Sequence, residues 1–361
     1  MIPYFTPFVT GIFGILFAWV DARDIKRLAF VYFAGIAIFF IGLRGNIDVD
    51  YSGYLNAYSE LPDVFDFEIA KGDFLYKILS ALFRSLGFQY AWFVFFTTAV
   101  SISIKGYIIT KLCKSPLTAL SVYLCIAFIE TEMITVRWAI ATSLLILSIH
   151  FLYLNRRYLA FIIFLCALGF HSFVFIYALA APLLFIKNTK FYIFAALGAL
   201  IVGAYLPMAS IYESVMLFQV DAYTLQKIQS YTSQDMNPIG IFSALKVLFL
   251  LTIWIIASTF GGRVNWSADE SVRNIFRPAF LFLAISLLLY NYKVFYYRAA
   301  VVVDFYLILL AVNSVDLAFR ANHRAAIYSF FIAMFIVWSL FDINNHYMSG
   351  YIKYYEFAPL F

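Results

Sequence analysis

Apolar runs long enough to enter a bilayer follow one another along nearly the whole chain, with only short polar stretches between them. At helical rise, about 20 apolar residues match a hydrocarbon core roughly 30 Å thick. The repetition therefore dictates an all-α polytopic membrane protein. In chain order the spans are expected at residues 3–20, 28–43, 89–109, 117–129, 133–153, 158–170, 172–186, 191–207, 240–260, 278–292, 299–315 and 326–341. That makes about 12 transmembrane helices, forming a single domain over residues 1–361. Charged residues are 12% of the chain against about a quarter in soluble domains, and the mean hydropathy is +0.88. A soluble globular protein is excluded. The net charge of +5 would suit an anionic partner, but lysine and arginine in a polytopic chain are first of all topology signals. Nucleic acid is not expected as a partner.

Basic residues fall at alternate connections: Arg23, Lys26 and Arg27; Lys105, Lys111 and Lys114; Arg156 and Arg157; Lys187 and Lys190; Arg263, Arg273 and Arg277; Arg320 and Arg324. By the positive-inside rule these face the cytoplasm. The opposite loops hold most of the acids, so both termini are expected outside. Met1 to Val20 has no basic leader, its positive charges coming after the apolar run, which argues for a retained first span rather than a cleaved signal. Cys113, Cys125 and Cys166 lack any spacing that would hold zinc, and structural disulfides are not expected. No internal repeat or low-complexity tract is present.

Two outer segments are too long to be turns, at about residues 44–88 and 208–239. The first opens with LRGNIDVDYSGYLNAY, which carries Arg44, Asp48, Asp50, Tyr51, Tyr54 and Tyr58. It ends in FLYKILSALFRSLG, where Lys77 and Arg84 interrupt a run too short to span, as in an amphipathic interfacial helix. The second contains short helical patterns closed by Asn237-Pro238. Long outer loops over a bundle cap a cavity or bind a ligand.

Helix rise alone then places several polar groups at one depth. Arg44 lies seventeen residues after Arg27, Arg137 eighteen before Asn155 and Arg298 eighteen before Asp316. Each is about 25–27 Å above the cytoplasmic boundary. His171 sits at the apex of a short hairpin, about 21–24 Å up. Any one of these arginines could merely snorkel to headgroups. Three at the face that positive charge avoids are better explained by a bound anion, and the planar guanidinium fork suits phosphate. His171, in GFHSF, is either a core histidine or a group that takes a proton from an acceptor hydroxyl, since its ordinary pKa is about 6.5.

The acids divide less cleanly. Asp48 and Asp50 have DxD spacing, which suits a divalent metal or plain loop acidity equally well. Asp304 lies within a span, so it is functional or ion-paired, and Arg298, six residues away, is on a different helix face. Glu130 and Glu132 are placed to neutralise Arg137. Tyr54, Tyr58, Tyr296 and Tyr297 belong first to an interfacial belt, and after that to sugar stacking.

Arg44 with Asp48, Asp50, Tyr54 and Tyr58, then Glu68, Gly72, Asp73 and Tyr76, then Arg137 with Ala139 and Ala141, then His171-Ser172, resemble the EpsG-like family of Wzy-type polysaccharide polymerases. The order and spacing match over about residues 40–175, and Arg298 is similar to a further basic position of that family. Where the family often reads glutamate, glycine, tyrosine, the glycine here is displaced to Gly72 and followed by Asp73. The resemblance implies a GT-C-type glycosyltransferase of the bacterial inner membrane, active on the extracytoplasmic face in O-antigen or exopolysaccharide synthesis. It would join an undecaprenyl-pyrophosphate-linked glycan donor to a lipid-linked acceptor repeat, with no cofactor or metal. Membrane lipids and a chain-length regulator protein are the other implied partners. Arg44, Arg137 and Arg298 would bind the pyrophosphate, and His171, Asp48, Asp50 and Glu132 would be catalytic. Tyr54, Tyr58, Glu68, Asp73, Tyr76, Ser172 and Lys293 would bind substrate.

Two rival readings share the composition. A GT-C enzyme using a polyprenyl-monophosphate sugar would hold a metal at Asp48 and Asp50. A lipid-linked oligosaccharide flippase would place its ionisable groups near the midplane rather than at one outer level, and Asp304 is the residue that favours it.

Overall fold

Every backbone group inside lipid has to be satisfied within its own segment or an immediate neighbour, which leaves helices as the natural element for an apolar chain of this kind. The computed structural model describes residues 6–20, 22–46, 50–61, 73–205, 241–260, 270–291 and 293–348, and the elements among them are helices. These are α1 (Thr6–Ala18), α2 (Arg23–Gly42), α3 (Tyr51–Ser59), α4 (Phe74–Ser85), α5 (Tyr90–Leu112), α6 (Pro116–Ala127), a π-helix (Phe128–Ile134), α7 (Val136–Tyr153) and α8 (Arg157–Phe170). A segment of mixed winding follows, made of a 3-10 turn (Ser172–Val174), α9 (Phe175–Ala180) and a second 3-10 turn (Ala181–Phe185). The chain continues with α10 (Thr189–Tyr205), α11 (Ile241–Phe260), α12 (Glu270–Leu288), α13 (Lys293–Ala318) and α14 (Ala321–Met348).

Among the described residues, five stretches are long and apolar enough to cross a membrane: Arg23–Gly42, Tyr90–Leu112, Val136–Tyr153, Phe295–Ala318 and His323–Phe341. Six shorter apolar helices accompany them. The chain is a multi-pass membrane protein by this measure. On α2 the large apolar side chains Leu28, Val31, Tyr32 and Phe39 are exposed while Ala29, Phe33, Ala37 and Ile41 are buried. One face packs inward, and the other is fit to meet lipid rather than water.

Several expected spans are redrawn. The stretch expected at 172–186 is one short apolar helix, Ser172–Phe185, of mixed winding: α9 lies between two 3-10 turns, with Pro182 at the start of the second, where it removes a helical donor. The span expected at 117–129 is α6 running into the π-helix. The helix expected from residue 299 begins at Lys293, so Arg298 lies within α13. Lys105, expected in a cytoplasmic connection, is buried inside α5 at 2% exposure because it has an acidic partner there. The amphipathic stretch after residue 73 does form a separate helix, α4, with Tyr76, Ser80 and Ala81 turned inward. The outer segment at 208–239 lies outside the described residues.

The chain divides into two compact units, Met1–Ile176 with Val312–Phe361, and Tyr177–Ala311. In the first, α7 packs against α5 and α8, while α1 packs against α6 and α14. The α1–α6 approach is close enough that a Cβ at Gly14 would stand 2.5 Å from Ser121 Oγ. Small residues at such crossings let helices gain contact where lipid provides no hydrophobic drive. The α5–α6 turn is tied to the residues around the α13–α14 turn: Ser115 Oγ donates to Asp316 Oδ1 at 2.9 Å, Arg324 Nη1 reaches the same oxygen at 3.3 Å, and Lys114 N–H donates to Asn313 Oδ1 at 3.2 Å. This clasp marks one end of α5. Tyr90, at the other end, is about 33 Å away along the helix axis.

In the second unit α10 packs against α12, and the Asn291 amide donates to Gly203 O at 2.8 Å. Asp304, the intramembrane acid, is paired with Lys246 of α11 at 2.6 Å. Its role in the first instance is to neutralise a buried ammonium.

Candidate active site

At the Tyr90 end of α5, residues from α2, α3, α4, α7 and the α8–3-10 junction come together in the first unit. Arg44 follows the last turn of α2 and is 1% exposed. Its Nη1 donates to Ile41 O at 2.8 Å, closing a carbonyl that the helix end leaves without an internal donor. Arg137 is in the first turn of α7, with its side chain 30% exposed. Its Nη1 donates to Asp73 Oδ2 at 2.8 Å and its Nε to Tyr54 Oη at 3.3 Å. The guanidinium lies over the Tyr54 ring at 4.9 Å and over the Tyr76 ring at 5.6 Å. Two aromatic faces and one carboxylate thus fix its plane, and the remaining exposure leaves an edge open to a ligand.

Tyr76 is the point where the two arginines meet electrostatically. Burial pushes its phenol well above the ordinary value, while Arg137 and Arg44 both pull the other way. Arg44 and Arg137, 93 residues apart in sequence, are two of the four groups that depth counting put at one level.

Asp73 joins this cation to the histidine. It precedes α4, and while Oδ2 receives Arg137, Oδ1 accepts the Ser172 backbone N–H at 3.1 Å. His171 is buried at the end of α8, with its Nδ1 accepting from the Phe173 N–H at 3.2 Å and its ring edge-on to Trp138 at 5.0 Å. A neutral imidazole that accepts at Nδ1 carries its hydrogen on Nε2. In that tautomer the Nδ1 lone pair is committed to the Phe173 N–H.

The GFHSF motif has a packing reason as well. A Cβ at Gly169 would stand 2.7 Å from Leu75 Cγ and 2.9 Å from Phe74 Cζ. The bare backbone lets the first turn of α4 lie on the last turn of α8, which brings Asp73 to Ser172. Gly169→Val is expected to cost about 1–3 kcal/mol as overpacking. Thermal unfolding in detergent should show this as a lowered midpoint, accompanied by loss of activity because the Asp73–Ser172 contact opens.

The other expected residues sort by environment. Tyr58 is buried, its hydroxyl donating to Phe88 O at 2.7 Å, and burial pushes its phenol up to about 12. It packs against Tyr90 and Phe93 and so belongs to the aromatic core beside the site. Asp50 is exposed at the start of α3, and the Ser172 side chain is exposed although its N–H is used. Glu132 is not beside Arg137: its carboxylate receives Lys105, Tyr123 and Ser101 inside the bundle. Arg298 is half-buried on α13 in the second unit. Asp48 and Glu68, and the side chains of Glu130 and Lys293, lie outside the described residues. Trp138 is the contributor that sequence reasoning missed. Its signal was present in the Arg-Trp pair, two adjacent residues of which one meets the acid and the other the histidine.

Comparison with known families decides what kind of chain carries this arrangement. The model of the EpsG family matches residues 27–357. The chain belongs to the EpsG family. Its context is therefore a membrane protein associated with exopolysaccharide synthesis. No curated protein and no solved structure matches the chain. Within this EpsG-family chain the matched region includes every residue of the Arg137 site.

Proposed function

We propose that this EpsG-family protein is a Wzy-type polymerase of GT-C character, a membrane glycosyltransferase that joins undecaprenyl-pyrophosphate-linked repeat units on the extracytoplasmic face. The observation that carries the reading is the partly open Arg137, set against two tyrosine rings and held by Asp73, whose other oxygen takes the N–H of the residue after His171. A guanidinium immobilised before the reaction stabilises charge that develops in the transition state without reorganising to do so. In this scheme the acceptor hydroxyl oxygen bonds to the anomeric carbon of the donor glycan. The bond from that carbon to the pyrophosphate oxygen breaks, and the hydroxyl proton leaves to the departing pyrophosphate. Arg137 and Arg44 carry the developing negative charge, and the Nε2–H of His171 orients a reacting oxygen. The polar segments at 44–88 and 208–239 would bind the glycans and exclude water.

Glu132 has no part in the chemistry under this proposal, because its oxygens are committed to three donors. Polymerisation by the purified chain tests the whole reading. Incubated in detergent with lipid-linked repeat units and a chelator, it should give a ladder of lengthening glycans. A ladder that needs added metal would support the monophosphate-sugar alternative. No ladder, with lipid movement seen only in sealed vesicles, would replace catalysis with transport.

A further inference from the structure

The π-helix between α6 and α7 is wound around a buried charge pair that the proposed chemistry does not use. Glu132 is 1% exposed and Lys105 2%. The Glu132 carboxylate receives the Lys105 ammonium and the Tyr123 hydroxyl on one oxygen, and Ser101 Oγ at 3.0 Å on the other. Lys105 Nζ also reaches Ala139 O at 3.3 Å, as does Ser101 Oγ at 3.1 Å, and Ser143 Oγ pairs with Ser101 Oγ at 2.8 Å. Two residues of α5 therefore grip the chain at two places, Glu132 in the π-helix and Ala139 in α7. Arg137 lies between the grips.

Burying two charges costs several kcal/mol per ion, and a well-packed apolar pair is often as stable or more so. Stability alone therefore gives a weak reason for the pair. A π-turn holds one residue more than an α-turn, and such turns concentrate at functional sites. Were this one to relax to α, the chain after it would shift by one residue, about 100° of rotation and 1.5 Å of rise. That shift would carry Arg137 off the Tyr54 and Tyr76 rings. We propose that Lys105 and Glu132 are positioning residues for Arg137: by pinning the π-helix to α5 they set the register that presents the guanidinium to a bound pyrophosphate. This rests on Arg137 being a pyrophosphate ligand.

The experiment measures binding of inorganic pyrophosphate to the purified full chain in nanodiscs by calorimetry, together with thermal unfolding. Wild type should bind and Arg137→Ala should not. The pair Lys105→Met with Glu132→Leu should keep or raise the unfolding midpoint yet weaken binding about tenfold. In that background Arg137→Ala should add less than its full effect, because positioning and positioned residues act as one unit. Should the double variant fail to insert, Glu132→Gln keeps the side-chain shape and breaks the charge pair, and it should still weaken binding about threefold. Wild-type affinity in a folded double variant, or in folded Glu132→Gln, would overturn the positioning role alone. Equal binding by wild type and Arg137→Ala would overturn the pyrophosphate reading, and this inference with it.

Discussion

Arg137→Ala is expected to reduce polymer formation by about 10²–10³-fold, the loss that removal of one preorganised charge donor produces. The protein should still insert and fold, because Arg137 is at the edge of the bundle with 30% of its side chain exposed. Its partners tolerate its absence unequally: Tyr54 and Tyr76 keep each other's company at 6.1 Å, whereas Asp73 loses its cation. Arg137→Lys should recover little, since an ammonium lacks the planar fork that donates to Tyr54 and Asp73 from separate nitrogens while resting against two rings. The readout is the length distribution of glycan made by purified protein, normalised to folded protein by size exclusion. Full-length polymer from Arg137→Ala would remove this residue from the mechanism. A parallel loss of folded protein would make it structural.

Depth along a membrane helix is a counting problem, so sequence alone can assign residues to a level. With about 1.5 Å per residue and a fixed slab thickness, Arg44 and Arg137 are expected at similar levels; Arg137 lies over the Tyr76 ring and Arg44 is within its electrostatic reach. Counting gives no azimuth, and the misreadings follow from that. Glu132 is only five residues before Arg137, yet the π-helix turns it toward α5, where Lys105 waits. Lys105 looked like a topology charge because a lysine near the end of an apolar run normally is one, and its acid lies 27 residues away in sequence. Asp304 called for a partner that sequence could not supply, and Lys246 was overlooked because it too stands inside an apolar run. Tyr54 and Tyr58 are four residues apart on α3 but meet different surroundings, one facing a cation and the other filling space against Tyr90 and Phe93. Pairing between distant helices is a tertiary fact, and no periodicity encodes it.

Asp73 should show a kinetic signature unlike that of the arginine it holds. Its carboxylate bridges Arg137 and the Ser172 N–H, so Asp73→Ala releases the guanidinium and leaves a backbone donor without its acceptor. Turnover should fall about 10²-fold, because displacement of a catalytic group by about 1 Å has that cost. Asp73→Asn keeps one acceptor oxygen, enough for the Ser172 N–H or for Arg137 but not for both, and turns an amide donor toward the other while removing the charge, so the expected loss is more than about tenfold and no greater than that of Asp73→Ala. KM for the donor should not rise in either variant. An aspartate beside an anionic ligand repels it in the ground state, so its removal relieves that repulsion even as it spoils the aim, and kcat and KM fall together. Donor binding measured separately from turnover distinguishes this from the opposite case. If Asp73→Asn raised turnover, the carboxylate would be occupying the phosphate position as a plug, and Arg137 would do its work only once Asp73 had been displaced.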